Sequence, residues 1–128
     1  MQRHLKSMLT SLLLPILWLP FVQAFTTSEK EIQHLLEFIN QSDCVFIRNN
    51  NEYPAKKARE HLETKYDYAK RWVDSAEQFI ERIASKSSIS GKRYQVRCQI
   101  QLFYSGEWLN QELRRYRASQ ISQQPVAQ

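Results

Sequence analysis

Cys44-Val45-Phe46-Ile47-Arg48-Asn49-Asn50-Asn51-Glu52-Tyr53-Pro54 and Ser87-Ser88-Ile89-Ser90-Gly91-Lys92-Arg93-Tyr94-Gln95-Val96-Arg97-Cys98 decide the fold, because each sets a cysteine on a β-like run beside a polar loop. In the second stretch Tyr94, Val96, Cys98, Ile100 and Leu102 alternate with Arg93, Gln95, Arg97, Gln99 and Gln101. Alternation of period two over this length marks a half-buried strand. A strand needs a partner, and Cys44 to Ile47 is the other candidate in the chain, so a two-stranded element is expected. Antiparallel pairs are roughly two- to threefold commoner than parallel ones. Pairing in that sense carries the Arg48–Tyr53 loop and the Ser85–Tyr94 loop to one edge; parallel pairing separates them.

Outward from these stretches the pattern is helical. Ser28 with Glu31 reads as a capping box, and Ile32, Leu35, Leu36 and Ile39 then recur at helical spacing, predicting a first helix over 29–41 with His34 facing solvent. Arg48 to Glu52 is turn chemistry, since Asn tolerates positive φ, and Pro54 suits the first position of the next helix. Ala58, Leu62, Tyr66, Ala69, Val73, Ala76, Ile80 and Ile83 keep one apolar stripe. A single helix over residues 54–85 would extend about 48 Å, against a radius of gyration of about 13 Å for a domain of this size. Two helices, or one kinked at Asp74-Ser75-Ala76-Glu77, are therefore expected. Ser105 and Gly106 open a last helix whose buried face is Trp108, Leu109, Leu113 and Tyr116, and residues 118–128, Gln- and Ser-rich, read as a disordered tail. No repeat of fixed period stands out.

The amino terminus bears on location. Arg3, His4 and Lys6 precede an apolar run from Met8 to Leu19, and Val22-Gln23-Ala24 supplies a small-residue cleavage pattern, so residues 1–24 read as a signal peptide cut after Ala24. The apolar run falls short of the ~20 residues of a membrane-spanning helix, and no stable membrane insertion is expected after cleavage. The destination predicted is periplasmic or secreted. Removing 24 of the 128 residues leaves 104, enough for one small domain and not two. With Arg3 and Lys6 gone, the 18 basic residues become 16 against 13 acidic ones, a net charge of +3. So mild an excess does not argue for a nucleic-acid partner. Cys44 and Cys98 are the only cysteines, and in an oxidising compartment they predict one disulfide. A bridge across a loop of this length stabilises by about 4 kcal/mol in the chain-entropy account. The fold class that follows is α+β: mainly α with a small two-stranded β element, one domain over residues 25–117 of about four helices, stapled by that disulfide.

The chemistry is sparser. Past the leader, His34 and His61 are the only histidines, with no His-x-x-x-His pair and no acidic cluster at ligand spacing, so neither a metal nor a cofactor is expected. The serines of 85–90 lack a Gly-x-Ser-x-Gly elbow and a nearby base, so no catalytic residue is assigned. Lys65 falls inside the apolar stripe defined by Trp72, Ala58, Ala69 and Leu62, with His61 at its edge. It either lays its stem on the core and carries its ammonium to water, or it is a buried polar group paired beside the loops.

Phe46-Ile47-Arg48-Asn49, Tyr53, His61-Leu62, Lys65-Tyr66, Ala76-Glu77-Gln78-Phe79-Ile80, Ser87-Ser88, Ser90-Gly91 and Tyr94 resemble the YfeK-like family of small exported bacterial proteins, a domain of unknown function, over about residues 31–117. Asn50-Asn51 stands where that family typically has a glycine after Arg-Asn. The resemblance implies export and a shared function but supplies no activity. Ser90-Gly91-Lys92-Arg93-Tyr94 also matches the Ser-Gly-x-x-Tyr signature of periplasmic lysozyme inhibitors, which resemble β-barrels. Three function classes follow: a binding module for an envelope ligand or protein, an inhibitor or immunity factor, and an unrecognised hydrolase. The first is preferred, with Arg48, Asn49, Tyr53, His61, Lys65, Ser88, Ser90, Gly91 and Tyr94 as the candidate binding residues. There Arg48 would hold a carboxylate or phosphate bidentately, or Arg48 and Asn49 would merely fasten the two loops together.

Overall fold

The computed structural model describes residues 25–125; the signal peptide expected over residues 1–24 lies outside them. Helix α1 is Thr27–Gln41, strands β1 and β2 are Val45–Arg48 and Asn51–Pro54, and helix α2 is Ala55–Ala69. A 3₁₀ turn at Lys70–Trp72 leads to α3, Ala76–Phe79, which widens into a π-helical turn over Ile80–Ala84. Strands β3 and β4 are Gln95–Cys98 and Gln101–Tyr104, and α4 is Ser105–Ser122.

The sheet has four antiparallel strands in the order β2-β1-β3-β4, not two. The central pair is the one expected, β1 with β3. Each of its strands then turns back on itself through two residues, Asn49-Asn50 and Gln99-Ile100. The long alternation of residues 93–102 is thus a hairpin. Its turn places Leu102 opposite Arg97 and Phe103 opposite Val96, so Phe103 and not Leu102 shares the inner face. Pro54 ends β2 and caps α2 from outside the helix.

Adding 50 to each residue number turns β1 into β3, β2 into β4 and the start of α2 into the start of α4. The central ladder is its own image under that shift: Val45 faces Arg97, Ile47 faces Gln95, and Phe46 faces Val96 at the centre. The molecule is therefore a helix-hairpin-helix unit used twice about an approximate twofold. The repeat escapes sequence inspection because none of the eight paired strand positions carries the same residue in both halves. Continuing the register by one step on each side brings Cys44 opposite Cys98 and Arg48 opposite Tyr94. The first pair is the predicted disulfide, with Cα atoms 4.6 Å apart. The second begins the candidate site, at the other end of the same ladder.

Helices cover the inner face. Ile32, Leu35, Leu36 and Ile39 of α1, Phe79 and Ile80 after the break, and Leu109 of α4 are all but completely buried against Phe46 and Val96. Each such side chain stabilises by about 1.5–3 kcal/mol. The break in the stripe falls where expected, with Ser75 as the cap, its hydroxyl accepting from Gln78 N at 3.2 Å.

Four expectations need correction. The first capping box is Thr26 with Glu29, because Glu31 is buried and bound bidentately by Arg117 at 2.7 and 2.9 Å. Arg117 also reaches Glu77 at 2.5 Å, fastening α4 to α1 and α3. His34 does not face solvent: its Nε2 lies 2.7 Å from Glu112 and its ring stacks 3.9 Å from Tyr116. The tail is helical as far as Ser122, since extending a formed helix through Ala, Ser and Gln costs little. Trp72, on the extended apolar stripe, is 56% exposed because the 3₁₀ turn rotates it off the core face.

Candidate functional site

Arg48 is the last residue of β1 and shares the inward parity of Phe46, so its side chain points under α2 where the sheet ends. There Arg48, Tyr53, His61, Tyr94 and Ser105 line a cavity of about 150 Å³ whose walls are completed by Phe46, Ile47, Ala58 and Leu62, with Lys57 at its edge.

Arg48 Nη1 lies 3.0 Å from Nδ1 and 2.9 Å from Nε2 of the His61 ring, and Nη2 donates to the Tyr53 hydroxyl at 3.2 Å. Nη1 so nearly equidistant from both ring nitrogens lies over the imidazole and not along one lone pair, and a guanidinium that close disfavours the imidazolium through like charge. Burial, then the charges of Arg48 and Lys65, hold the His61 pKa below its ordinary value, in agreement. Lys65 stands one helical turn further on. Its ammonium donates to Ile83 O at 2.8 Å, Lys86 O at 3.3 Å and the Tyr94 hydroxyl at 3.3 Å. All three of its protons are thereby used, which makes it a fixed positive charge and not a free amine nucleophile. Burial, followed by repulsion from Arg48, lowers its pKa. Of the two readings of Lys65, the paired buried group is the one found. Burial raises the Tyr94 pKa, an effect that Arg48 partly opposes, so its hydroxyl keeps its proton.

The tyrosine oxygens accept from Arg48 and Lys65, which leaves both phenolic protons to be given away. One possible acceptor for Tyr94 is His61 Nε2, at 3.5 Å. Ser105 Oγ is buried and has no hydrogen-bond partner among the described residues. Backbone geometry places it: Ser105 N donates to Tyr94 O at 3.0 Å, which sets the start of α4 against the site. Neither Arg48 nor Lys65 has a carboxylate within 4 Å among the described residues, and no Asp or Glu lines the cavity.

Of the candidate residues, Arg48, Tyr53, His61 and Tyr94 converge on the cavity, with Lys65 immediately behind. Asn49 and Ser90 meet each other instead, Ser90 Oγ donating to Asn49 Oδ1 at 2.5 Å, and so fasten the two loops. Gly91 takes φ +70 in the loop turn, and Ser88 is exposed on a neighbouring groove; neither lines the cavity. Tyr94 is 6% exposed, so the Ser-Gly-x-x-Tyr segment holds its tyrosine inward and does not project it. Ser105 was not anticipated. Its one signal was the Ser105-Gly106 helix start, and without the β3–β4 hairpin nothing in the sequence brings that start beside Tyr94.

Fold and site define a small disulfide-braced α+β domain with a cation-lined pocket at one end of its central ladder. The family of unknown function DUF5329 matches residues 26–117, and the chain belongs to it. It is also similar to the uncharacterized protein YfeK of Salmonella typhimurium, 39% identical over 67 residues, 52% of this chain and 56% of that protein. The chain thus spans little more than half the length of that relative. No solved structure matches.

Proposed function

We propose that this protein is a binding module of the cell envelope whose pocket captures an oxyanion, a carboxylate or phosphate group of its ligand. The observation that carries the reading is a cavity lined with hydrogen-bond donors and a cation, backed by a second, in which no acid faces them. An uncompensated charge withdrawn from water is costly, and an arriving oxyanion would accept from Arg48, both phenols and the orphaned Ser105 hydroxyl at once. The Ser105 hydroxyl is not hydrogen-bonded to a base and the Lys65 ammonium is fully engaged, which favours binding over hydrolysis. Export is part of the reading, supported by the order of charged, apolar and small residues before Ala24 and by a disulfide suited to an oxidising compartment. Intact mass of the protein recovered from the periplasm should lack residues 1–24; a chain retaining them would contradict export.

Calorimetric titration with acetate and with sulfate, at constant ionic strength, tests the pocket. Arg48→Ala is expected to weaken binding by about tenfold or more, about 1.4 kcal/mol, with little change in melting temperature. Tyr94→Phe, which spares the buried ring, should weaken it less. Loss of stability with unaltered anion binding would instead make Arg48 a fastener of the loops.

A further inference from the structure

Resting on that pocket, we infer that the ligand is an acidic oligosaccharide whose carboxylate enters the Arg48–His61 cavity while its next sugar rings lie along α2 against Tyr68 and Trp72. His61 lines both the cavity and an adjoining open groove of about 520 Å³, bordered by Thr64, Lys65, Tyr68, Trp72 and Arg82. Tyr68 and Trp72 are 87% and 56% exposed, and both line this groove, Tyr68 from α2 and Trp72 from the 3₁₀ turn that follows it. Tyr68 is almost wholly exposed and Trp72 more than half so, and neither belongs to the core. Arg82 Nη1 donates to Trp72 O at 2.6 Å and holds the 3₁₀ turn that presents the indole. Arg71 adds a cation 4.8 Å from that ring.

The chemistry selects the occupant. The apolar C–H face of a sugar packs on a flat aromatic ring while its hydroxyls stay in water or meet Thr64 and Ser88, which suits a groove open along its length. An acyl chain in the same groove would remain half wetted and lose most of its hydrophobic gain. No Asp or Glu lines the groove, so the positive charge of Lys65 and Arg82 selects acidic over neutral glycans. From His61 to Tyr68 alone α2 rises about 10 Å, and Trp72 lies beyond it in the 3₁₀ turn, so the groove is longer than a single ring and affinity should grow with oligomer length.

The test is a titration of the disulfide-bonded protein with galacturonate monomer, galacturonate trimer, a neutral trimer and dodecyl phosphate. Binding is followed by calorimetry and by the Trp72 indole N–H resonance. The trimer should bind about tenfold tighter than the monomer, the size of one aromatic contact, and shift the indole resonance. Trp72→Ala, at an exposed position that does not threaten the fold, should erase that advantage and leave monomer binding intact. Arg48→Ala should weaken monomer and trimer together. A trimer no tighter than the monomer, or an advantage that survives Trp72→Ala, overturns the glycan assignment while leaving the anion pocket standing. Preference for the neutral trimer or for dodecyl phosphate also overturns it. Absence of any Arg48-dependent anion binding overturns the pocket beneath it.

Discussion

Asn49 and Asn50 both hold positive φ, 49° and 66°, at the centre of the two-residue β1–β2 turn. That is the backbone a type I′ hairpin demands, and Asn is the side chain that bears it best after glycine. The two are not equivalent, because the Asn49 amide also holds Ser90. Asn50 has no such contact, so Asn50→Gly is expected to stabilise by up to about 1 kcal/mol, read from the urea midpoint. A lowered midpoint would mean that Asn50 has a contact beyond the turn. The same residue shows what was legible at this scale: positive φ could be read from the asparagine run, and a glycine is dispensable at that position. Gln99, at φ 56°, could not be read, since glutamine carries no turn signal.

Among the elements, helix periodicity told true. The apolar stripes of α1, α2 and α4 and the break before Ala76 were all readable from spacing, because helices bury a continuous face. The sheet was half readable. Alternation continues unchanged in sequence through Gln99-Ile100, whereas a two-residue turn pairs Arg97 with Leu102 and sends the second strand back on the opposite parity. The site suffered accordingly: Arg48, Tyr53, His61 and Tyr94 could be nominated, but Ser105 could not. The disulfide lies at the far end of the β1–β3 ladder from these residues. Cys98→Ser should therefore lower stability by about 2 to 4 kcal/mol while anion affinity is retained at temperatures below its unfolding transition. Two free thiols in the unreduced, denatured protein, or loss of binding in a variant that is still folded, would contradict this.

Across the whole molecule, one ladder with an approximate twofold carries different chemistry at its two ends. Cys44 and Cys98 are bonded at one, and Arg48 and Tyr94 meet in a pocket at the other. The halves are topologically alike, so the asymmetry resides in the side chains. It gives the molecule one braced end and one end with excess positive charge. His61 reports on that end. Its pKa is depressed in the folded protein relative to the ordinary value of about 6.5, so the unfolded chain binds the proton first. Stability from this group is full above that value and declines as pH falls from it toward the depressed folded pKa. A bound anion would favour the imidazolium and oppose the decline, and by linkage anion affinity should rise over the same interval. The direct measurement is an NMR pH titration of the His61 imidazole at increasing sulfate, an anion whose charge is constant there, with chloride matching the ionic strength. The account predicts a saturable upward shift of the His61 pKa that Arg48→Ala abolishes; a His61 pKa indifferent to sulfate at every concentration would contradict it.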